Sequence, residues 1–386
     1  MGTLKNSRRL VTLGGLAIAG LLFATLPEAS AQTAVYSGTS AIKSSPIAYN
    51  GWVYFGDSAG VMRGVPLGAG TAWSFNCKTD TNGGNRSTIL GRPALFLVAG
   101  TLYLVFPDSL GALYCLNATT GAKVWSISKP TGGLKGCTSM PSVIAGADLA
   151  STKIYYSGSK RNQGYVFRVD GNGLNPITSA PLGTGVSSAA VAPGNGVFVG
   201  VTGGGAAAYK LSEDLQTILL QFGTGKNSLE PPYIYMNYGA IQPAVLVAAS
   251  DGTISASEIS NATVVYQNVT VAAGVALTFP VVYNNVIYLG AANGNIYSAS
   301  AVDGSGAAVF YNGAAGSAIT GLAMDLAGPA LHFGNAAGNF YKVPITGTPS
   351  VYTTPGANSA YATTPSITGT VVLAGNDNGN LYSFPR

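Results

Sequence analysis

Short alternating runs of apolar and polar residues, separated by glycine-containing turns, repeat along the chain from residue 33 to its end. Each repeat contains a strand rich in Val, Ile and Tyr, a tight turn of the Asp/Asn/Ser-Gly kind, and a second strand, which is the pattern of a β-hairpin. The stretch 113–127, LYCLNATTGAKVWSI, adds a polar Thr-Gly turn and a further strand that carries a tryptophan. This pattern predicts strands and turns throughout residues 33–386.

The hairpin occurs eight times, and the period between copies indicates the fold. Its turn glycines are Gly60, Gly111, Gly164, Gly205, Gly252, Gly294, Gly338 and Gly379, and successive ones are 41 to 53 residues apart. A period in the forties with about four short strands per unit is typical of β-propeller blades. Apolar runs after a proline, such as TFPVVYNN, would form the innermost strands, and weaker runs such as KVWSI the outermost ones. We therefore predict an all-β, eight-bladed β-propeller; a parallel β-solenoid is the alternative.

The two ends of the chain are predicted to meet in one sheet. The sequence stops at LYSFPR, before the eighth unit has received its outermost strand, while TAVYSGTS at 33–40 has no partner in the first unit. Adding this N-terminal strand to the last blade would remove an exposed sheet edge. Residues 32–386 would then form a single propeller domain.

The tryptophan-containing stretch carries a resemblance to a known family. ALYCLNATTGAKVWSI, with Thr120, Gly121 and Trp125, resembles the repeat of quinoprotein-like (PQQ-repeat) propellers, and GVPLGAGTAWSF, with Gly70 and Trp73, is a partial copy. In that family the tryptophan packs between neighbouring blades. The resemblance covers about residues 35–386 as architecture, but its diagnostic motif covers only the first two blades.

The family contains both enzymes and binding scaffolds. Its dehydrogenases hold pyrroloquinoline quinone and calcium with clustered acidic ligands and usually a vicinal cysteine pair, whereas here the acidic residues are scattered and no Cys-Cys occurs. We therefore expect no cofactor and no metal. The quinoprotein-like scaffold of the outer-membrane assembly machinery is the nearest type, without its lipid anchor.

The first 31 residues have the pattern of a signal peptide. A basic start, MGTLKNSRR, precedes the apolar run LVTLGGLAIAGLLFATL, and the small residues ASA at 29–31 form a cleavage site. Cleavage after Ala31 would release a periplasmic or extracellular protein. A retained membrane anchor is the alternative, although the run is short for a span of about 20 residues. No later segment is apolar enough to cross a membrane.

The chain contains few charged residues, which is an indication of the pH at which the protein works. Only 9% of its residues are charged, against about 25% in typical globular proteins. A protein with few carboxylates loses little stability when acid protonates them, so this composition suits an acidic exterior. Secreted tetrathionate hydrolases of acidophiles have similar propellers and similarly few charges. That resemblance implies a hydrolase of a small sulfur oxyanion, without a matching catalytic motif in this sequence.

The few charges are unevenly distributed. Residues 32–227 contain 14 Lys/Arg and 7 Asp/Glu, and residues 228–386 contain 2 and 6. Two connectors between blades, 76–92 and 129–137, supply the candidate anion-binding residues Lys78, Arg86, Arg92, Lys129 and Lys135. Both connectors should emerge on one face, where they could attract an anion, or they could merely improve solubility. Basic and aromatic residues do not interleave densely enough for nucleic-acid binding.

Two titratable residues are candidates for catalysis. Asp325 aligns with the innermost strands, where burial could raise its pKa and make it an acid/base residue; alternatively, it could bind nearby turn amides. His332, the only histidine, lies in the alternating run PALHFGN, which favours a structural role over Ser-His-Asp catalysis.

The cysteines Cys77 and Cys137 lie in connectors on either side of the second blade, whereas Cys115 lies within a strand. An exported protein meets an oxidising compartment, so we predict a Cys77–Cys137 disulfide and a buried free Cys115. Three free thiols are the alternative.

Two functions are compatible with these observations. The leading one is a binding or assembly module for an unknown protein partner or small anion, with the stretch EPPYIYMNYG, which contains Tyr233, Tyr235 and Tyr238, as a candidate partner surface. The other is a hydrolase of a small sulfur oxyanion, with Asp325 as acid/base and the basic connectors gathering substrate. Whether the protein is an enzyme stays open at this point.

Overall fold

The eight hairpins form the second and third strands of eight antiparallel sheets in the structure, a computed structural model. It describes residues 32–128, 139–228, 230–235, 243–261, 263–313, 316–353 and 359–386. Innermost strands of successive blades contact each other at most junctions, including the junction between blade 8 and blade 1, so the ring is closed. The predicted eight-bladed β-propeller is confirmed.

The strands run from the axis outward in chain order within each blade. Strand β1 (Thr33–Ser37) comes first. Blade 1 contains β2 (Ile47–Tyr49), β3 (Trp52–Gly56), β4 (Val61–Pro66) and β5 (Trp73–Asn76). Blade 2 contains β6 (Ala94–Val98), β7 (Thr101–Pro107), β8 (Leu113–Asn117) and β9 (Lys123–Ile127). Blade 3 contains β10 (Ser142–Ile144), β11 (Lys153–Lys160), β12 (Gln163–Asp170) and β13 (Ile177–Thr178).

Blade 4 carries an additional short strand. It contains β14 (Gly185–Val186), β15 (Ala190–Ala192), β16 (Gly196–Thr202), β17 (Ala206–Leu211) and β18 (Ile218–Thr224), with β14 and β15 both paired to β16. Blade 5 contains β19 (Tyr233–Tyr235), β20 (Ala244–Ala248), β21 (Thr253–Glu258) and β22 (Val264–Thr270). Blade 6 contains β23 (Val281–Tyr283), β24 (Val286–Gly290), β25 (Ile296–Ser300) and β26 (Ala308–Tyr311).

The last two blades complete the ring. Blade 7 contains β27 (Ile319–Asp325), β28 (Ala330–Asn335), β29 (Asn339–Pro344) and β30 (Ser350–Thr353). Blade 8 contains β31 (Ser366–Ile367), β32 (Val371–Gly375) and β33 (Asn380–Pro385). The helical structure in the described residues is one 3-10 turn, Cys77–Thr79.

The N-terminal strand closes the ring as predicted. Strand β1 pairs antiparallel with β33, in a register that places Thr33 opposite Ser383 and Tyr36 opposite Leu381. The Gly38 amide extends the pairing by donating to the Gly379 carbonyl at 3.0 Å. Blade 8 therefore obtains its fourth strand from the start of the chain, which covers the outer edge of β33.

The hydrophobic core lies between the blades, because each sheet buries both faces against its neighbours. Side chains from blades 2 and 3 form one such cluster, and the other clusters likewise combine residues from neighbouring blades. The tryptophans close two junctions as the family resemblance implies. Trp73 Nε1 donates to the Ala118 carbonyl of blade 2 at 3.0 Å, and Trp125 Nε1 donates to the Gly171 carbonyl of blade 3 at 2.7 Å.

The ring has two distinct faces, because successive strands of each blade run in opposite directions. The connectors between blades and the turns between second and third strands lie on one face, which we call the connector face. The turns between first and second strands and between third and fourth strands lie on the other, the hairpin face. Hydrogen bonds join the two kinds of loop on the connector face: the Ile89 amide of a connector donates to the Asp57 carbonyl of a turn at 3.1 Å.

The acidic residue of the hairpin turn has a structural role. In blade 1, Asp57 Oδ1 accepts hydrogen bonds from the Ala59 and Val61 amides, each at 2.9 Å, while Gly60 takes a φ of +79°. A short side-chain acceptor and a residue that tolerates positive φ are what such a turn requires. The repeated Asp/Asn-Gly signal is therefore explained by turn geometry.

Candidate functional site

Asp325 is buried at the end of an innermost strand, as expected, but its environment keeps it ionised. The carboxylate is 1% exposed and lies at the end of β27. It accepts bonds from Arg386 Nε and Nη2, each at 2.7 Å, and from the Ala327 amide at 2.9 Å. The Arg386 guanidinium lowers the pKa of Asp325 to about 2 and outweighs the effect of burial. The expectation of a raised pKa is wrong.

The structure does not bring Asp325 together with the basic connector 76–92. Asp325 precedes the turn between the first and second strands of blade 7, so it lies on the hairpin face. Lys78, Arg86 and Arg92 belong to the connector between blades 1 and 2, on the other face. A carboxylate that stays ionised down to about pH 2 also carries no proton to donate.

Asp325 is expected to act as a structural residue. Asp325→Asn should lower the free energy of unfolding at pH 7 by about 1–2 kcal/mol, because it replaces charge-assisted bonds to a partly exposed arginine. The lowered pKa contributes stability above about pH 4 that is lost as pH falls towards 2, so the difference between the two proteins should shrink there. Denaturant titrations at pH 7 and pH 2.5 measure both differences; equal stability at pH 7 would contradict the structural role.

The connector face of blades 1 to 3 carries a group of cations without carboxylate partners. Among the described residues, no carboxylate pairs with any of five cations of this face, Lys78, Arg86, Arg92, Lys160 and Arg161. Lys160 and Arg161 lie at the turn between β11 and β12. The sequence did not single them out, because the pattern of one hairpin does not show whether a neighbouring loop supplies a carboxylate partner. We call these five residues the basic sector. Lys129 and Lys135 lie outside the described residues.

Five carboxylates of the same face have partners outside the basic sector. Asp57 pairs with Arg63, Asp80 with Lys123, Asp251 with Lys226 and Asp377 with Lys43, whereas Asp108 accepts from Ser87 and Tyr114. Because none of these carboxylates forms an ion pair with a member of the basic sector, the sector keeps a net positive charge.

Arg92 is the most enclosed member of the basic sector. It lies two residues before β6, and its Nε is buried without a hydrogen-bond partner in the described part of the chain. Burial lowers the pKa of its guanidinium. A buried, unpartnered N–H of a charged group is a donor that an anion could satisfy.

Glu230, which the sequence analysis did not select, is the carboxylate whose pKa approaches neutrality. It lies in the connector that leads into β19, and burial raises its pKa to about 7, while a hydrogen bond from the Phe279 amide of the next blade acts in the opposite sense. The sequence signal was a carboxylate directly before Pro231 and Pro232. Glu230 thereby links blades 5 and 6 on the connector face.

The two described tyrosines of the candidate partner surface, Tyr233 and Tyr235, are not exposed. Tyr235 is 6% exposed, and its hydroxyl donates to the Ala301 carbonyl of blade 6 at 3.0 Å, so it is a junction residue and not a surface one. Tyr233 is partly buried, with its ring edge-to-face against Phe279 at 5.4 Å between centroids. Tyr238 lies outside the described residues. The stretch was a candidate surface because it is rich in tyrosine, but both sheet faces of a blade are covered by its neighbours.

His332 is enclosed in the junction of blades 7 and 8. It is fully buried, its ring stacks against Phe340 at 6.3 Å, and neither ring nitrogen has a hydrogen-bond partner in the described residues. Burial lowers the pKa of His332 to about 4. No hydroxyl nucleophile is bonded to it, so its placement agrees with the structural role expected from the sequence.

Cys77 and Cys115 are both buried, and neither forms a disulfide with another described residue. Burial raises the pKa of each thiol, that of Cys115 to about 12, so neither is poised as a thiolate. Cys137 lies outside the described residues, and the Cys77–Cys137 disulfide stays a prediction.

Metal sites and membrane-spanning helices are absent from the described residues. These residues contain no group of three or more His, Cys, Asp or Glu side chains that could hold a metal ion. Over the same residues, no helix has the length and apolar character needed to span a membrane.

Comparisons with known proteins agree on the architecture. The sequence matches no protein-family model and no curated protein. Among solved structures, the chain is similar to BamB from Moraxella catarrhalis, with 13% identity and a TM-score of 0.66 over 92% of this chain and 100% of that one. It is similar to quinohemoprotein alcohol dehydrogenase from Comamonas testosteroni, with 13% identity and a TM-score of 0.66 over 92% and 76%.

A designed protein gives a comparable match. The computationally designed Ika8 protein shares 16% identity and a TM-score of 0.65, over 92% of this chain and 98% of that one. Identities this low show a common fold and carry no activity with them.

Proposed function

We propose that this protein is an exported, quinoprotein-like propeller that binds an acidic segment of a partner protein through the basic sector. The observation that carries the proposal is the set of five cations on one face of blades 1 to 3, none of which has a carboxylate partner among the described residues. Uncompensated charge of one sign on one face steers and orients a partner of the opposite sign.

Export and family are part of the same proposal. The basic-apolar-small pattern of residues 1–31 supports cleavage after Ala31. Likeness in fold to BamB and to a quinohemoprotein dehydrogenase supports the quinoprotein-like resemblance. The N-terminal residue of protein recovered outside the cytoplasm checks the cleavage site, which we expect to leave Gln32 first.

The hydrolase is the weaker candidate, because nothing in the geometry favours it. Its proposed acid/base residue, Asp325, is paired with Arg386 and lies on the face away from the basic sector. The tetrathionate hydrolase resemblance therefore rests on architecture and charge content alone.

Binding of an acidic peptide without aromatic residues tests the proposed function. We expect measurable binding at low ionic strength by fluorescence anisotropy, weakened by added salt. Lys78→Gln, Arg86→Gln and Arg161→Gln each remove one positive charge of the basic sector and should each weaken binding a few-fold. Lys342→Gln is the matched control, since it removes one unpaired charge from the hairpin side of blade 7.

The comparison with the control decides the matter. If Lys342→Gln weakens binding as much as the basic-sector variants do, the effect is one of net charge and the proposed surface is wrong. Absence of any binding at low ionic strength would remove the proposal altogether.

A further inference from the structure

Three junctions between blades contain a stacked pair of aromatic rings on the second and third strands. The two rings of each pair are cross-strand partners, and their centroids are 4.8 to 5.3 Å apart. The pairs are Phe106 with Tyr114 in blade 2, Tyr156 with Phe167 in blade 3, and Phe333 with Tyr341 in blade 7. Each pair faces the preceding blade.

In two of these junctions, a third ring from the preceding blade packs against the pair. Phe75 of β5 lies 5.6 Å from the ring of Tyr114, and Tyr311 of β26 lies 6.2 Å from the ring of Phe333. Both residues occupy one repeat position, the outermost-strand partner of the residue two places after the turn glycine. Three-ring clusters of this kind stabilise a junction beyond the area that they bury.

At the junction of blades 2 and 3, no ring of the preceding blade occupies this repeat position in the described residues, although Tyr165 of blade 3 lies 6.2 Å from the ring of Phe167. The residue at the same repeat position is Ile127, which pairs with Leu113. A cavity of about 540 Å³ opens beside it, lined by Ile127, by the pair Tyr156 and Phe167, and by Tyr165. Trp125 packs near the hairpin-face end, where its Nε1 bonds the Gly171 carbonyl. The cavity is of the size that binds organic side chains or small ligands.

The connector-face end of this cavity is basic. Lys160 lines the cavity at the end of β11, and Arg161 follows it in the turn. Neither residue pairs with a carboxylate among the described residues. The same site thus presents an aromatic floor and a positively charged mouth.

We propose that the cavity between blades 2 and 3 receives an aromatic side chain from an acidic segment of the partner protein, which completes the three-ring cluster. This inference rests on the proposed function, since it assigns the acidic partner a point of attachment. The guest ring takes the place that Phe75 and Tyr311 occupy in the other two junctions. Carboxylates beside that ring meet Lys160 and Arg161, and burial of an aromatic anchor beside paired charges is the usual form of an interface hot spot.

Two labelled peptides test the inference. One has a single phenylalanine within eight residues of Asp and Glu, and the other has serine in its place, so that their charges are equal. Fluorescence anisotropy should show the phenylalanine peptide binding the intact protein at least about tenfold more tightly, which corresponds to one aromatic anchor. Lys160→Glu should weaken both peptides.

Ile127→Phe is the decisive variant, because it supplies the missing ring from the chain itself. It should keep the melting temperature or raise it, and it should abolish the preference for the phenylalanine peptide while leaving the serine peptide unchanged. Val309→Phe is the matched control, since Val309 lies on an outermost strand and is 51% exposed; it should leave the preference intact.

Three other results of these binding experiments would overturn the proposal. Equal binding of both peptides to the intact protein overturns the cavity assignment and leaves the basic sector standing. Binding of neither peptide overturns both proposals. Loss of the preference in Ile127→Phe together with a change from dimer to monomer in sedimentation would show that a second copy of this chain, and not a partner, occupies the cavity.

Discussion

A chain that begins at residue 39 is expected to lose most of its stability compared with one that begins at Gln32. The missing segment contains β1, which supplies the fourth strand of blade 8 and closes the ring. It also contains Tyr36, whose ring packs 5.3 Å from Phe55 and beneath the guanidinium of Arg63 at 5.1 Å. Loss of a five-residue strand and its packing should cost several kcal/mol, a large part of the 5–15 kcal/mol typical of folded proteins.

Removal of β1 should also change the solution behaviour. The edge of β33 would become a row of unpaired backbone groups, which is a template for association. Denaturant titration should show a lower midpoint, and light scattering should show larger particles. A synthetic peptide of residues 32–41 added to the truncated chain should reverse both changes; an unchanged midpoint after truncation would mean that the closure contributes little.

The second large effect concerns the pH dependence of stability and His332. The folded protein holds His332 neutral, with a pKa of about 4, whereas an unfolded chain gives it the ordinary value of 6.5. The contribution to stability is therefore present above pH 6.5 and is lost as pH falls from 6.5 to 4. The pKa of His332 differs by about 2.5 between the folded and unfolded states, which corresponds to as much as about 3 kcal/mol in the free energy of unfolding.

Other charged groups near His332 also affect its pKa. Lys342, its cross-strand neighbour, and Arg386 disfavour the imidazolium, whereas Asp325 favours it; burial is the largest cause. Glu230 acts in the opposite direction, because a raised pKa makes the fold more stable as pH falls from about 7 to 4.5. The two contributions overlap in the curve of the intact protein, so the measurement must be a difference between variants.

His332→Leu should be close to the parent in stability at pH 7 and more stable than the parent by up to about 3 kcal/mol at pH 4. Glu230→Gln provides the opposite control, with a gain over the parent at pH 8 and none at pH 4. Urea titrations of the three proteins between pH 4 and 8 measure these differences. A constant difference between His332→Leu and the parent over that range would show that His332 titrates normally.

The propeller could be read from the sequence because its signals are local. Each hairpin needs a turn acceptor and a residue with positive φ, and the eight turn glycines supply the second requirement at a regular period. The unpaired run at 33–40 and the incomplete eighth unit predicted the closure by simple strand counting. Burial of Asp325 followed from its place in an innermost strand.

The misjudged residues depend on contacts between distant parts of the chain. Asp325 is separated by 61 residues from Arg386, which determines its ionisation. Tyr235 bonds Ala301 in the next blade, and that contact removes it from the surface. A pattern of alternating residues describes one sheet and contains no information about which side chains face it from its neighbours.

The sequence by itself determined the number of blades, their strand order and the closure of the ring, because period, turn chemistry and alternation act within a few residues. Only the tertiary structure decided which charges are compensated and where a ring is missing. Lys160 and Arg161 are candidates for binding because no described carboxylate forms an ion pair with them. Ile127 marks a candidate site because it leaves a cavity beside the aromatic pair. Both properties arise between blades, where residues that are far apart in the sequence meet and no local pattern specifies their pairing.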